Sequence, residues 1–383
     1  MKKFLLSILS SVSLSFVFAA HISGGEMYYK YLGPGLLPNT SKYEITLRLF
    51  RDCSASGTFV SPMPVEAFIS IFDNSGDSRV SDNLIARDLL LDKRLSKIDF
   101  SCIQFAPEVC YDVGYYHFQT DLPQNRQGYT CAFQTCCRVG GINNIFYNFG
   151  SMNGAPGVTV SCKISGTDEL GPAGVNSSPV FKLKDTALVC ANNFFRLDFS
   201  ADDDDGDSLS YSFCDAYGCS PTIVNASSFP SGSPSNTVFP FLDYNGFSGN
   251  APLGSPVTIN AVTGIISGNA PATAGRYVID VCITEWRKGI SIGSHRKDFI
   301  LKIADCNKTA ASLNPQYFTC DGFTLNFSNN ATNLSGTIYQ WNFGDMASGI
   351  NNTSAVATPT HTYSDTGIYI LKLKVSINGQ CED

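Results

Sequence analysis

Histidine and tryptophan are scarce, with four and two in 383 residues. So few imidazoles (His21, His117, His295, His361) leave no histidine-rich metal centre, and no His-Glu-x-x-His run sets two ligands and a base on one helix face. The Gly-x-Ser-x-Gly run at Gly289-Ile290-Ser291-Ile292-Gly293 lies between the Trp286-Arg287-Lys288 and His295-Arg296-Lys297 segments of a hairpin, not at the strand-to-helix elbow that presents a serine nucleophile. Paired Cys-x-x-Cys knuckles are missing too, so the 14 cysteines do not read as zinc ligands. Charged residues make up only 15% of the chain, and the balance is acidic at −7; a nucleic-acid interface needs the opposite sign. Helical periodicity is nearly absent. The one stretch that suggests a helical turn or two is 83–94, where Leu84, Ile85, Leu89 and Leu91 crowd together. Beyond the N-terminus no apolar run reaches the ~20 residues of a membrane span. These absences disfavour an enzyme, although a carboxylate pair brought together by folding leaves no local signature.

What is present begins with a leader. Lys2 and Lys3 precede an apolar, Ser-rich stretch from Phe4 to Phe18, and Val17-Phe18-Ala19 supplies small residues at a cleavage site. An exported chain meets an oxidising compartment, where cysteines pair as disulfides. Elsewhere the apolar pattern has period two. Tyr43, Ile45, Leu47 and Leu49 alternate with Glu44, Thr46 and Arg48, and Tyr369, Leu371, Leu373 and Val375 with Ile370, Lys372 and Lys374. Strands of this kind have one wet face, as in antiparallel sandwiches. Gly-x-Tyr-x-apolar recurs at Gly114-Tyr115-Tyr116, Gly275-Arg276-Tyr277 and Gly367-Ile368-Tyr369. A tyrosine at such a corner can bond its hydroxyl back to the backbone.

The sequence thus predicts an all-β protein of three consecutive antiparallel β-sandwich domains. The expected divisions are a leader at 1–20, a Cys-rich unit at 21–176, a second unit at 177–306 with an inserted loop at 220–256, and a third at 307–383. The first two units hold seven and five cysteines. Odd counts mean a disulfide between units, a free thiol in each, or a boundary elsewhere. Within units the expected pairs are Cys214–Cys219 and Cys320–Cys381.

Two polar clusters stand out. In Asp202-Asp203-Asp204-Asp205-Gly206-Asp207, an extended backbone puts Asp203, Asp205 and Asp207 on one face. Carboxylates so close repel one another unless a cation neutralises them, and calcium takes oxygen ligands. Calcium is the one cofactor the sequence suggests. Trp286-Arg287-Lys288 and His295-Arg296-Lys297 flank a turn, so Trp286, Arg287, Lys288 and Arg296 read as a basic hairpin tip for an acidic glycan or a partner's carboxylates.

The C-terminal stretch Tyr339-Gln340-Trp341-Asn342-Phe343-Gly344-Asp345, followed by Pro359-Thr360-His361-Thr362-Tyr363 and Gly367-Ile368-Tyr369, resembles the PKD domain. The middle unit, with Asp205-Gly206-Asp207-Ser208-Leu209-Ser210-Tyr211 and Val262-Thr263-Gly264-Ile265-Ile266-Ser267-Gly268, resembles cadherin-like and immunoglobulin-like domains, some of which bind calcium. The start of the mature chain, His21-Ile22-Ser23-Gly24-Gly25-Glu26-Met27-Tyr28-Tyr29, the Leu47 to Cys53 segment, Cys136-Cys137-Arg138 and Asn143-Asn144-Ile145 are similar to secreted surface proteins of gliding-type bacteria that carry PKD domains. That resemblance implies the type IX route and a chain continuing past Asp383; the leader itself predicts export to the extracellular side or outer cell surface, and the lack of a later apolar run predicts no membrane span in the mature protein. The expected function is non-enzymatic adhesion, docking or spacing, because flat sandwich faces and exposed strand edges suit contacts with a surface protein or glycan. The alternatives are the non-catalytic portion of a secreted polymer-degrading enzyme and a gliding-motility component.

Overall fold

The computed structural model describes residues 22–53, 62–76, 78–97, 109–135, 138–146, 156–172, 174–182, 189–219, 239–305, 310–320, 322–331, 333 and 335–377. The leader, the first half of the inserted loop (220–238) and Cys381 lie outside them. The first strands are β1 (Ile22–Pro34), β2 (Thr40–Asp52), β3 (Glu66–Asp73), β4 (Ser78–Ala86), β5 (Lys93–Lys97), β6 (Val109–Pro123), β7 (Tyr129–Thr135) and β8 (Val158–Ile164). A single helical turn, Thr167–Leu170, precedes β9 (Val180–Phe181), β10 (Val189–Cys190), β11 (Phe194–Asp198), β12 (Ala201–Asp202), β13 (Ser208–Cys214), β14 (Val257–Ile259), β15 (Ile265–Asn269), β16 (Gly275–Arg287) and β17 (Ile290–Ala304). The C-terminal part holds β18 (Thr324–Asn326), β19 (Thr337–Asn342), β20 (Thr353–Ser354), β21 (Thr360–Thr362) and β22 (Lys372–Ile377). The protein is all-β, as its period-two alternation predicts.

One eight-stranded sheet dominates, in the order β13-β16-β17-β1-β2-β6-β5 with β10 alongside β17. The division expected near Asn176 falls between strands of this one sheet. β1 is the seam: its Gly24, Gly25 and Glu26 pair with Phe299, Asp298 and Lys297 of β17. Gly24 sits at φ +123, and a Cβ there would collide with the Asp298 carbonyl. Only glycine lets the two backbones approach so closely.

The sheet is covered on both faces. One face packs Phe50, Tyr111, Ile279, Ile283 and Phe299 against Leu197, Val257 and Ile266 of the β11-β15-β14 sheet. Ile45, Leu47, Leu49 and Tyr116, on the other face, pack against Ile69, Phe133 and Val160 of the β4-β3-β7-β8 sheet. Beneath β16 and β17 that second face is closed by Val139, Ile142, Ile145 and Leu242. The face of β2 read as wet is therefore buried at Thr46 and Arg48. A second difference concerns 83–94. Here β4 runs to Ala86, a turn exposes Leu89 and Leu90, and β5 begins at Lys93. Cross-strand pairing with β3 decides the conformation of Asn83 to Ala86, a tertiary contact that local crowding does not reveal.

Two of the Gly-x-Tyr corners close as expected. The Tyr277 hydroxyl donates to the Thr273 carbonyl at 2.8 Å and Tyr369 to Asp365 at 2.9 Å. Tyr116 reaches instead to the distant Pro64 carbonyl. Cysteine pairing differs from expectation. Cys53 bonds Cys110, and Cys214 bonds Cys282 rather than Cys219. Cys214 and Cys282 stand on adjacent strands with Cα atoms 5.9 Å apart, so strand pairing outweighs nearness in sequence. Cys219 and Cys320 carry free thiols.

Candidate functional site

The two polar clusters of the sequence meet at one corner. Strand β13 leaves the Asp202–Asp207 turn, and β16 runs antiparallel to it with Ser208 opposite Trp286. This register carries Glu285 and Arg287 to the acidic turn. The Arg287 guanidinium forks onto Asp207 at 2.8 and 2.6 Å and also donates to Asn176 Oδ1 and the Val175 carbonyl, both at 2.9 Å. Asp203 Oδ1 accepts the backbone N–H groups of Asp205 and Asp207. Asp205 turns away to accept the Ser177 N–H at 2.5 Å. Lys30 pairs with Asp204 and Lys182 with Asp202.

The expected trio Asp203, Asp205 and Asp207 is thus not what gathers. Asp203, Asp207 and Glu285 bring one oxygen each within 4.8 Å of one another. Glu285 is 1% exposed and accepts a hydrogen bond from Asn176 Nδ2 at 2.7 Å. Burial, reinforced by the charges of Asp203, Asp207 and Asp205, pushes its carboxyl up to about 8. Burial likewise raises Asp203, whose Oδ2 is enclosed without a partner. An orphaned oxygen beside a carboxyl raised by burial fits a hard cation held by Asp203, Asp207 and Glu285, at a corner where Arg287 already supplies one positive charge. Sequence spacing cannot find Glu285. Its signal is parity: it extends the buried series Tyr277, Ile279, Val281, Ile283, where an apolar residue is expected.

The basic tip does not assemble. Arg296 lies opposite Cys282, well down the hairpin. It pairs with Asp280 at 2.6 Å, donates to the Asp215 carbonyl, and stacks 3.7 Å over the Tyr217 ring. His295 bonds Glu26 at 2.8 Å in the core, and Lys297 Nζ stands 5.0–5.7 Å from the ring centres of Phe199, Phe50, Phe181 and Phe299. Lys288 alone of the four basic-tip residues is both charged and exposed, while Trp286 is half-exposed with its indole N–H on Ser210 Oγ. Removing Arg287 leaves Asp203, Asp207 and Glu285 facing each other with no cation among them. Arg287→Ala is expected to destabilise the protein by about 1–3 kcal/mol, the range for losing hydrogen bonds to a charged group. Thermal unfolding measures this, and a loss below ~0.5 kcal/mol, the size of an ordinary surface change, would contradict it.

A third site-like arrangement sits in the C-terminal part. Its core is Phe327, Trp341, Phe343 and Tyr363. The Trp341 indole donates to the Val356 carbonyl at 2.9 Å. His361 stacks on Phe343 with ring centres 4.3 Å apart and bonds Asp345, whose carboxylate also caps Ser364. Those contacts hold Asp345 low against the effect of its burial. Every member of the Trp-Asn-Phe-Gly-Asp and Pro-Thr-His-Thr-Tyr segments that is buried here has a packing or turn role. Residues 308–383 match the PKD domain family. The PKD domain is a non-catalytic module, typically extracellular, and His361 and Asp345 act in it as structural residues. No curated protein matches the chain. No helix among the described residues is long and apolar enough to cross a membrane.

Proposed function

We propose that this is an exported, non-enzymatic surface protein whose large β body docks on a surface partner and whose PKD module spaces or presents that body. The observation that carries the reading is the PKD match over residues 308–383. The leader and the cysteine content support export, and the resemblance to secreted proteins of gliding-type bacteria supports the type IX route. The units drawn at 21–176, 177–306 and 307–383 serve this reading as two sandwich halves that share a sheet, plus a module. Calcium at Asp203, Asp207 and Glu285 would stiffen the corner where β13 leaves the acidic turn.

The test is binding by the recombinant chain to arrayed glycans and matrix proteins, with polymer hydrolysis assayed in parallel. Binding without turnover is the expected result. Hydrolysis, or silence on both arrays, would overturn the docking reading. For calcium, the expected result is a melting temperature that rises in millimolar Ca²⁺ and falls in EDTA; no change removes the cation.

A further inference from the structure

The Asn143-Asn144-Ile145 run takes no part in the acidic corner. Asn143 and Ile145 line an open cleft of about 870 Å³ on the β body, within the size range of small-ligand sites. Asn144 builds the wall behind them. It is fully buried, its Nδ2 donates to the Pro252 and Val278 carbonyls at 2.9 and 2.8 Å, and its Oδ1 accepts the Val278 N–H at 2.9 Å. Asn143 is pinned to the Arg276 and Ala274 carbonyls at 2.7 and 3.0 Å. Gly275 of the second Gly-x-Tyr corner sits at φ +148, where a Cβ would strike the Asn143 amide. The cleft is held rigid before anything enters it, which lowers the ordering cost of binding.

Its chemistry is uniform. No charged side chain lines it among the described residues. Three amides, Asn192, Asn245 and Asn269, border it, are exposed, and make no side-chain hydrogen bond among the described residues. Phe247 supplies apolar surface, backed edge to face at 5.8 Å by the buried Tyr277 ring. An exposed asparagine is ordinary; three unengaged amides around an aromatic pair in an uncharged, prebuilt cleft are not. A charged ligand would find no counter-charge there, and a purely apolar one would leave the amides dry, at the cost of their hydration.

We propose that this cleft binds a neutral carbohydrate, a short uncharged oligosaccharide whose hydroxyls pair with the amides and whose C–H face rests on Phe247. The proposal rests on the surface-docking reading and names a ligand class for it. The probes are neutral gluco-, manno- and N-acetylglucosamine hexasaccharides, with uronate and sulfated oligosaccharides and an extended peptide as comparison arms, followed by titration calorimetry. At least one neutral probe is expected to bind. The Asn192→Ala/Asn269→Ala double variant, which removes exposed side chains only, is expected to bind it about tenfold more weakly or worse, with the melting temperature unchanged. Phe247→Ala should also weaken binding. Preference for the charged or peptide arms, or wild-type affinity in the double variant, overturns the proposal. If surface proteins bind but no oligosaccharide does, the cleft assignment fails while the docking reading stands; if nothing binds, the docking reading fails as well.

Cys131 and Cys162 carry a separate inference. They face each other directly across β7 and β8, both buried, with their thiols in hydrogen-bond contact. Cys53–Cys110 and Cys214–Cys282 are already bonded. We infer that Cys131 and Cys162 close to a disulfide in the exported protein. One thiolate attacks a donor disulfide, and the second displaces the mixed disulfide, so the donor leaves as two thiols while two cysteines are oxidised. The hydrogen bond that the Cys131 thiol makes to Cys162, together with burial, raises that thiol well above its usual range; both side chains are buried, so exchange must precede closure of the core. Non-reducing denaturation with alkylation, then peptide mapping, is expected to give a peptide pair linked through Cys131 and Cys162. Alkylation of both, or linkage of either to another cysteine, refutes the assignment.

Discussion

Replacing Arg138 by alanine will cost the fold about 3–5 kcal/mol, the loss seen when one partner of a buried ion pair is removed. Arg138 is fully buried. Its Nη1 and Nη2 fork onto both oxygens of Asp298, the first at 2.6 Å, while Nε donates to the Gly157 carbonyl at 2.9 Å and Nη2 to the Tyr217 carbonyl at 2.8 Å. These four contacts tie residues from both sides of Asn176. Without the guanidinium, Asp298 stays buried beside Asp280 with no cation of its own, and all four contacts to carbonyls and carboxylate vanish together. Lysine will not restore them, because an ammonium cannot reproduce the planar fork. The paired change Arg138→Met/Asp298→Leu should lose less than Arg138→Ala alone, because no charge is then stranded. Urea unfolding measures these variants together with the single changes Arg138→Met and Asp298→Leu. A loss under ~1 kcal/mol for Arg138→Ala, or additive losses in the pair, would show that the charge is not held by this contact.

Arg48 shows where sequence reading stops. Period-two alternation correctly identifies Tyr43, Ile45, Leu47 and Leu49 as one face of a strand, all of them buried. It assigns Arg48 to water, because a strand of an ordinary sandwich has one wet face. Here a second layer covers that face. Arg48 pairs with Glu26 and donates to the Phe181 carbonyl at 2.8 Å, and Glu26 also accepts from the Phe181 N–H and bonds His295. Burial alone would raise Glu26, but Arg48 and His295 hold it at about 2. The same blindness hides the acidic corner's true members. Carboxylates adjacent in sequence are visible, while Glu285 reaches them only through the β13–β16 register. The PKD core is legible because its Trp, Phe, His and Tyr lie within one short, locally closed module. The shared sheet is not, since β1 and β17 are brought together only by the fold; the glycine pair at Gly24-Gly25 is its single local trace.

Stability should fall as pH rises from about 4.5 to about 8, and Glu285 is the main reason, joined by Asp280, which burial also raises. The folded Glu285 carboxyl titrates above the unfolded one, so the native state binds the proton more tightly. That contribution is complete below the unfolded value and is lost as pH climbs through the folded one. Glu26 has the opposite sign: its stabilisation holds above about 4.5 and is lost as pH falls toward 2. The two together confine the optimum to mildly acidic solution. Glu285→Gln keeps a hydrogen-bonding partner for Asn176 and removes the charge. It should flatten the alkaline limb and gain about 2–4 kcal/mol over the wild type at the high end, since each unit of displacement is worth about 1.4 kcal/mol. Ca²⁺ seated against Asp203, Asp207 and Glu285 would take the place of that proton and stabilise the wild type most where Glu285 is ionised, an effect absent from Glu285→Gln. Melting curves from pH 4 to 9, with Ca²⁺ and with EDTA, read both effects. A wild-type profile that rises toward pH 8, or one superimposable on that of Glu285→Gln, would mean that the Glu285 charge is compensated by a contact other than the proton or the cation.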